Sequence, residues 1–330
     1  MAGEVTLEVR EAEDLATRAC RGAGASEATA RSLVAATISA ALFGPPTLGF
    51  PHLVDYLNSF REGRISTNPE PTLNRPYTAY FVSDADRGIA QLGFDRAFDQ
   101  LVETVRHFGI AIFTQTNSYS AGELGYFVRR LAEKGIVGLA ATNANAMVVS
   151  KPGGPAVYST NPMAFGFPMG EGALPVIIDQ ASSATAFVNI VAAAEEGRSI
   201  PTGWAVDSDG NDTEDPKLAM NGALLAFGGR KGANVALLVE MMSAGISGGN
   251  WSLDTPDFRS GSASPGVGLT VIAIMPGADQ TARIARAKKQ ADRLANLGVF
   301  IPGVTGTSRH ERVSIPFEVH QRVAEFAASA

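Results

Sequence analysis

Residues 110–142 read IAIFTQTNSYSAGELGYFVRRLAEKGIVGLAAT, and this stretch decides the class of fold. Its first part, Ile110–Thr114, is short and apolar, which predicts a strand. A helix is predicted next, because apolar side chains recur every three or four residues: Leu124, Phe127, Val128 and Leu131. Gly135 ends that helix, and the apolar run Ile136–Thr142 predicts another strand. Strand, helix and strand in succession indicate an α/β core.

The alternation continues outward along the chain. Further strands are predicted at Tyr77–Val82, Val176–Asp179 and Val267–Met275, and further helices around Phe94–Val105 and at Ala184–Glu196, Ala233–Ile246, Gln280–Leu297 and Pro316–Ala328. Near the N-terminus, Ser26 is the predicted N-cap of a helix that runs through Leu33 and Leu42. A further helix runs through Leu53 and Phe60, and the proline-rich residues 67–76 read as an extended linker. Helices therefore dominate both ends, and we expect the ends to pack together as a second domain.

Two of the predicted helices differ in polarity. The helix Ala233–Ile246 carries almost no charge, so we expect it to be buried on most sides. The helix Gln280–Leu297 is polar and is expected to turn Ile284, Ala285 and Leu294 inward.

Composition excludes several classes of function. The chain has 330 residues, a net charge of −6 and 27 basic residues that are scattered, so a nucleic-acid partner is not expected. No apolar run approaches the roughly 18 residues that a membrane span needs, and the first ten residues do not resemble a signal peptide. The single cysteine, Cys20, excludes disulfides within the chain and is expected to be a buried apolar residue rather than a reactive thiol. We predict a cytoplasmic protein.

The familiar motifs of cofactor and metal chemistry do not occur in the sequence. No G-x-G-x-x-G follows a strand, and no Walker lysine motif or G-x-S-x-G turn is present. The four histidines, His52, His107, His310 and His320, are too far apart in sequence to suggest a zinc site, so no metal is expected. A small anionic substrate is compatible with the negative net charge, because one local cationic pocket can oppose the overall charge.

Three segments have the composition of ligand-binding loops. Gly228–Gly232 precedes a helix, so its backbone can approach an anion closely, with Arg230 and Lys231 adding charge. Residues 179–183 (DQASS) and 117–122 (NSYSAG) each follow a strand with small polar residues. The alternatives are a helix start with two solvated cations, a helix cap at Asp179, and a plain turn.

Taken together, several motifs resemble those of the malate/L-lactate dehydrogenase family. They are Thr142–Asn143, Ser159–Phe165, Asp179–Ser183, Ile200–Ala205, Thr213–Pro216 and Gly228–Gly232. The resemblance implies an α/β fold, unrelated to the Rossmann fold, in which NADPH or NADH lies on a mixed, largely antiparallel sheet. It also implies a homodimer. We accordingly assign residues 1–76 and 278–330 to a helical dimerisation domain and residues 77–277 to an NAD(P)-binding α/β domain.

The resemblance also assigns the cofactor site. The cofactor is expected to contact Ser120, Gly122, Thr160, Asp179, Gln180, Ala181, Ser182, Arg230, Lys231 and Gly232. Arg309 and Arg312 are assigned to the adenosine phosphate end, with a solvated basic turn as the alternative. A small carboxylate-bearing substrate is expected to contact Thr47, Leu48 and Lys151.

The chain departs from the family at its proton-transfer residues. Thr47, Leu48 and Gly49 stand where the family has Ser-His-Gly, and His52 stands where it has an arginine. Ser120 occupies the place of another family histidine. Oxidation of a 2-hydroxy acid needs a base; a leucine cannot serve, and an unassisted serine hydroxyl is too weak. Histidine also cannot copy the two-pronged arginine contact with a carboxylate.

These departures suggest roles for individual residues and three alternative functions. His52 lies four residues after Leu48, so on one helix it enters the same pocket as acid, base or carboxylate anchor; the alternative is a histidine packed beside Leu53 and Tyr56. Asp179 matches an aspartate to which imine-reducing members assign proton handling. With His52, Asp179 and Ser120 as candidate catalytic residues, we favour reduction of a cyclic ketimine (pyrroline- or piperideine-2-carboxylate) over 2-hydroxy acid oxidation and over a non-catalytic cofactor-binding protein.

Overall fold

The computed structural model describes residues 3–304 and 311–330. Its helices are α1 (Val9–Gly22), α2 (Glu27–Phe43), α3 (Phe50–Arg61), α4 (Ala90–Phe108), α5 (Gly125–Glu133), α6 (Phe187–Glu195), α7 (Pro216–Ala219), α8 (Arg230–Glu240), α9 (Gln280–Asn296) and α10 (Phe317–Ala327). Its strands are β1 (Glu4–Glu8), β2 (Thr72–Tyr77), β3 (Tyr80–Asp84), β4 (Ile110–Ser118), β5 (Val137–Thr142), β6 (Val148–Val149), β7 (Ala156–Tyr158), β8 (Met163–Phe167), β9 (Val176–Gln180), β10 (Ala205–Val206), β11 (Ala223–Leu225), β12 (Val267–Ile274) and β13 (Arg312–Pro316). A 3-10 turn occupies Pro46–Leu48, and α8 continues into a π-helical turn at Met241–Ile246.

The central layer is a seven-stranded sheet in the order β2-β3-β4-β12-β5-β8-β9. β3 and β4 run parallel, and the other neighbouring strands run antiparallel. This confirms the predicted mixed, largely antiparallel sheet. Alternate residues of β12 point to opposite faces. Leu269 and Val271 join the core beneath α4 and α5, and on the other face the Thr270 hydroxyl donates to the carbonyl of Met242 in the π-helical turn, at 2.6 Å.

Strand direction brings the chemically interesting loops to one edge of this sheet. Ser118, at the end of β4, pairs with Val267, at the start of β12, and Thr142, at the end of β5, pairs with Leu269. The last residue of β9, Gln180, pairs with the first residue of β8. The loops after β4, β5 and β9 and the loops before β8 and β12 therefore lie at the same end of the sheet.

The two chain ends form a helical cluster with a core of its own. β1 pairs with β13, and apolar side chains of α1, α2, α3 and α10 pack on one another around Leu15, Leu33, Leu57 and Phe326. Cys20 is buried in this core, which confirms the packing interpretation. α9 lies elsewhere, beside the loop 168–175 and the Gly135 carbonyl, to which Gln280 donates. The division of the chain into the two domains stays a prediction.

A smaller sheet, in the order β10-β11-β6-β7, lies beyond the edge that carries the loops. Its core includes Val148, Ile190, Leu224 and Ala233, so α6 and the start of α8 pack against it. This small sheet therefore fixes where α8 begins.

Several sequence-based expectations are wrong in detail. Residues 67–76 are not only a linker, since β2 lies within 72–77; an edge strand tolerates Pro76 because that position needs no ladder donor. The strand predicted at 77–82 is instead the end of β2, a turn and the start of β3. The pair β1–β13 was missed, because its partners lie more than three hundred residues apart.

One polarity expectation is wrong and another is wrong at one residue. The segment 233–246 exposes Leu237, Leu238, Met241 and Ile246, at 41–51% each, so it is not buried on most sides of the single chain. On α9, Ile284 and Leu294 are half-buried as expected, whereas Ala285 is exposed.

Two further findings concern membrane-spanning helices and metal-binding clusters in the described residues. None of their helices is both long enough and apolar enough to cross a membrane. Within residues 3–304 and 311–330, no cluster of histidine, cysteine, aspartate and glutamate side chains has the spacing to hold a metal ion.

Candidate active site

The loop between β4 and α5 lies at the centre of the candidate site. The Tyr56 hydroxyl donates to the Ser120 carbonyl at 3.3 Å, and the Ser120 hydroxyl accepts from Gly122 N–H at 3.2 Å. Gly122 has φ +63°, a conformation that a glycine adopts without strain. Asp179, at the end of β9, accepts a hydrogen bond from Gly125 N–H at 2.7 Å. The loop is thus held between α3 and β9.

The other two predicted loops adjoin each other. Ser182 N–H donates to the Thr160 carbonyl at 2.7 Å, and its hydroxyl donates to the Asn161 carbonyl at 2.8 Å. Phe227 N–H donates to the Ser182 carbonyl at 3.1 Å. Residues 159–161, 182–183 and 226–227 are therefore hydrogen-bonded to one another, and Gly228–Gly232 follows directly along the chain. We call these segments, with residues 179–181, the wall; Asp179 joins it to the loop after β4.

A small cavity of about 50 Å³ opens beside Ser120. It is lined by Tyr119, Ser120, Asn143, Ala144, Asn145, Thr255, Phe258, Pro265 and Val267. Ala144 N–H donates to the Ser159 hydroxyl at 2.9 Å, and the Asn143 side chain donates to the Asn250 carbonyl at 2.8 Å. The cavity therefore lies between the loop after β4 and the loop after β5, against residues 255–267.

His52 lies against this cavity without lining it. Its ring packs edge-on against Tyr56 and Phe258, with centroids 4.9 and 5.9 Å apart, and its side chain is 12% exposed. Its Nδ1 lies 3.0 Å from the Asp55 carboxylate. A carboxylate only accepts, so Nδ1 carries the hydrogen of that bond and Nε2 is the nitrogen available to a ligand.

The other predicted substrate residues are less enclosed. Thr47 is exposed and Leu48 is half-buried in the 3-10 turn. Since α3 begins only at Phe50, Leu48 and His52 do not share one helix, and the argument from helical spacing is wrong. Lys151 is exposed in the turn between β6 and β7, and no contact joins it to the cavity within the described residues.

The cationic cofactor candidates lie in two places. Arg230 and Lys231 are exposed in the first turn of α8, and Gly232 is buried there. A Cβ at Gly232 would lie 1.8 Å from the Phe227 carbonyl oxygen, so only glycine fits. Arg312 is exposed on β13, with its Nε 2.9 Å from Glu8. Arg309 lies outside the described residues.

Sequence reasoning missed a buried ion pair beneath the central loop. Glu123 Oε1 lies 2.8 Å from Arg129 Nη2, and the two side chains are 2% and 7% exposed. Arg129 also donates to the Ser39 hydroxyl and lies over the Phe43 ring. The sequence did contain a signal for this pair, since Glu123 and Arg129 stand on either side of the apolar residues at the start of α5.

Asp179 has the most informative electrostatics at the site. Burial raises the pKa of its carboxyl to about 7; the Gly125 N–H and Arg129 lower that pKa, whereas Glu123 raises it. The helix-cap alternative is wrong, because Asp179 lies within β9 and the N-cap position of α6 is Ala186. Its carboxylate instead accepts from Gly125 N–H at the first turn of α5. An acid of this pKa can hold or release a proton near neutral pH.

Unpartnered polar atoms surround the same loop, and they fit a ligand. Within the described residues, three buried side-chain atoms lack a hydrogen-bond partner: Gln91 Oε1, Asn145 Oδ1 and Ser264 Oγ. Asn145 lines the cavity, Ser264 precedes Pro265 in its wall, and Gln91 donates to the Ala121 carbonyl directly beneath the loop. Buried polar atoms are rarely left without partners. Together with the exposed N-terminus of α8, they fit a polar cofactor and substrate.

Comparison with known proteins decides the family. The sequence pattern of the malate/L-lactate dehydrogenase family matches residues 7–327. The chain belongs to this family. Membership confirms the predicted enzyme class, an oxidoreductase that uses a nicotinamide nucleotide.

Individual relatives are similar over most of the chain. Delta(1)-pyrroline-2-carboxylate reductase 2 from Burkholderia multivorans is 32% identical over 303 residues, which cover 90% of this chain and 89% of that protein. The (2R)-3-sulfolactate dehydrogenase (NADP(+)) from Chromohalobacter salexigens is 30% identical and covers 98% of both. The crystal structure of delta1-piperideine-2-carboxylate reductase from Pseudomonas syringae pvar. tomato superposes with a TM-score of 0.89 at 30% identity, over 98% of this chain and 99% of that one.

Proposed function

We propose that this chain reduces the C=N bond of a cyclic 2-imino acid, such as pyrroline- or piperideine-2-carboxylate, with NADPH or NADH. The observation that carries the proposal is Asp179, a carboxyl at the cofactor wall whose pKa lies near 7. Similarity to pyrroline- and piperideine-2-carboxylate reductases supports the same substrate class.

Imine reduction suits the residues that the chain has. A C=N nitrogen accepts a proton readily, so the protein needs a proton donor rather than the strong base that alcohol oxidation requires. Protonated Asp179 supplies that donor near neutral pH. Thr47 and Leu48, in the place of the family's serine and histidine, then need only to shape the pocket.

Cofactor binding falls to the wall of backbone and small side chains. When bound, the reduced nicotinamide supplies the hydride. Ser120 and Gly122, Thr160 and the segment 179–182 hold its reactive half in this proposal. Arg230, Lys231 and Gly232, at the N-terminus of α8, receive the phosphate groups, because free N–H groups and positive charge favour an anion there. Arg309 and Arg312 keep the adenosine phosphate end as their predicted role.

The substrate carboxylate needs a positive partner. In this proposal His52 binds the carboxylate from Nε2, because the Asp55 contact occupies the other ring nitrogen. Lys151 is the second candidate anchor.

We further propose a homodimer that works in the cytoplasm. The exposed side chains Leu237, Leu238, Met241 and Ile246 lie on α8 and its π-helical extension, and exposed apolar surface of this kind is typical of an interface. This places the proposed interface in the predicted NAD(P)-binding domain rather than in the helical domain that we expected to dimerise. The same segment packs on β12 next to the candidate site. A second copy would therefore cover a surface close to the pocket.

The test is a substrate panel run with NADPH and with NADH. Pyrroline-2-carboxylate should be reduced, with falling absorbance of the nicotinamide band, and 2-oxo acids should be reduced more slowly. Good turnover of malate or lactate without imine reduction would contradict the proposal. Tight nucleotide binding without turnover on any of these compounds would point instead to a non-catalytic protein.

A 2-hydroxy acid dehydrogenase is the second candidate. The His52–Asp55 contact favours it, since a carboxylate that orients an imidazole is a common way to make a general base. Under this hypothesis His52→Ala abolishes alcohol oxidation and leaves nucleotide binding intact. An unchanged oxidation rate in His52→Ala would rule out this mechanism.

A further inference from the structure

Asn145 presents an unusual feature at the cavity beside Ser120. It lines the cavity, and its Oδ1 is buried with no hydrogen-bond partner among the described residues. A side-chain amide oxygen can only accept. The structure therefore contains a buried acceptor that lacks a donor.

The donors nearest to Asn145 along the chain are already engaged. Ala144 N–H donates to the Ser159 hydroxyl, Ala146 N–H donates to the Ser252 carbonyl, and the Asn143 amide donates to the Asn250 carbonyl. Across the cavity, the Tyr119 hydroxyl donates to the Phe258 carbonyl at 2.8 Å. The protein thus uses these donors elsewhere and leaves the Asn145 oxygen unmatched.

The surroundings of the Asn145 oxygen would strengthen a hydrogen bond formed there. Apolar atoms of Phe258, Pro265 and Val267 form part of the wall, and a hydrogen bond is stronger where water is excluded. The volume of about 50 Å³ admits a water molecule or one small polar group, not a whole dinucleotide. Either a water molecule or a single N–H or O–H group at the edge of a larger ligand fits this volume.

We propose that Asn145 Oδ1 accepts a hydrogen bond from an N–H group of the bound ligand, and that this contact selects ligands which carry such a group. Two sources share this chemistry: the carboxamide of the nicotinamide, and the ring nitrogen of the protonated cyclic imine or of its amine product. The second source rests on the proposed function, whereas the first requires only nucleotide binding.

The test pairs each N–H ligand with an analogue that lacks the donor. Calorimetry compares NADH with its 3-acetylpyridine analogue, and proline with tetrahydrofuran-2-carboxylate in the presence of nucleotide. For each pair, the quantity compared is the affinity of the N–H ligand divided by that of its analogue. Asn145→Leu should reduce this ratio about tenfold for one of the two pairs, because the buried N–H group then loses its acceptor. Asn145→Asp, which keeps an oxygen in place, should restore much of that ratio. Asn74→Leu, at an exposed position on β2, serves as the matched control and should change neither ratio.

The outcomes are distinguishable. A reduced ratio for the nucleotide pair supports the proposal with the carboxamide as donor, and it does so even if no imine is ever reduced. A reduced ratio for the proline pair supports it with the ring nitrogen as donor. If both ratios survive in Asn145→Leu, only water meets this oxygen and the proposal is overturned. Asn145→Ala provides the same readout if the leucine variant does not fold.

Discussion

At the scale of single residues, the account depends on the proton held by Asp179. Its raised pKa of about 7 means that the protonated acid dominates below that pH. If this acid serves the imine nitrogen, the wild-type rate should fall as the pH rises through about 7. Asp179→Asn should lose this pH dependence and about a hundredfold or more in kcat. A pH–rate profile of both proteins checks this; an unchanged profile in the variant would remove Asp179 from the mechanism.

The same residue makes an independent stability prediction. A carboxyl whose folded pKa lies above its unfolded value of about 3.9 binds its proton more tightly when folded, so the folded state loses stability as the pH rises from about 4 to about 7. The side-chain amide of the variant Asp179→Asn cannot ionise, and its oxygen can still accept from Gly125 N–H. The variant's Tm at about pH 8 should therefore equal or exceed that of the wild type. A clearly lower Tm would mean that the charge stabilises the fold.

A third residue-scale prediction concerns the buried pair Glu123–Arg129. Glu123→Gln leaves the Arg129 charge buried and unpaired, which should lower the free energy of unfolding by about 3–5 kcal/mol. The matched control is Glu196→Gln, in the exposed pair with Arg198, where the loss should stay below about 1 kcal/mol. Urea unfolding measures both, and equal losses in the two variants would contradict the structural argument.

At the scale of elements, the start of α8 tolerates no side chain at Gly232. An added Cβ would collide with the Phe227 carbonyl oxygen, so Gly232→Ala should destabilise the protein by about 1–3 kcal/mol and weaken nucleotide binding. Gly245→Ala, in the π-helical turn, meets nothing closer than the Trp251 ring at 3.4 Å and should be tolerated. Thermal unfolding and nucleotide titration compare the two variants. A tolerated Gly232→Ala would show that the start of α8 moves easily away from the Phe227 carbonyl.

The sequence predicted features that depend on nearby residues and missed those that depend on residues far apart in the chain. α4 and its glycine cap at Gly109, and the cap of α2 at Ser26, are local features, so spacing and cap residues predicted them. β1 and β13 stabilise each other across the whole chain, and neither has a strong local signal. The candidate site divides in the same way: loop composition pointed to Ser120 and Asp179, whereas the partners Tyr56, Glu123 and Asn145 become visible only when the chain is folded.

At the scale of the whole molecule, the apolar face of α8 makes a prediction about assembly. Replacing Leu238 and Met241 together by glutamate should convert the proposed dimer to a monomer, because charge on a buried apolar interface is strongly unfavourable. Leu218→Glu, at another exposed leucine, is the control and should leave the dimer intact. Sedimentation of the three proteins decides between these outcomes; a wild-type monomer would exclude the proposed interface.

The fold brings the loops of the candidate site together independently of the side chains that they carry. Strand direction brings the loops after β4, β5 and β9 to one edge of the sheet, so a pocket forms there whatever side chains occupy 47, 48 and 120. In the proposed function, Leu48 and Ser120 therefore change the chemistry and not the place where it occurs.

The most direct test of the central claim follows one deuterium atom. The enzyme is supplied with pyrroline-2-carboxylate and with nucleotide deuterated at the transferable position of its nicotinamide, and the product is examined by NMR and mass spectrometry. The expected product is proline that carries deuterium at the carbon next to the carboxylate, in a single configuration. Product without deuterium, or no product while a 2-oxo acid is reduced under the same conditions, would contradict it.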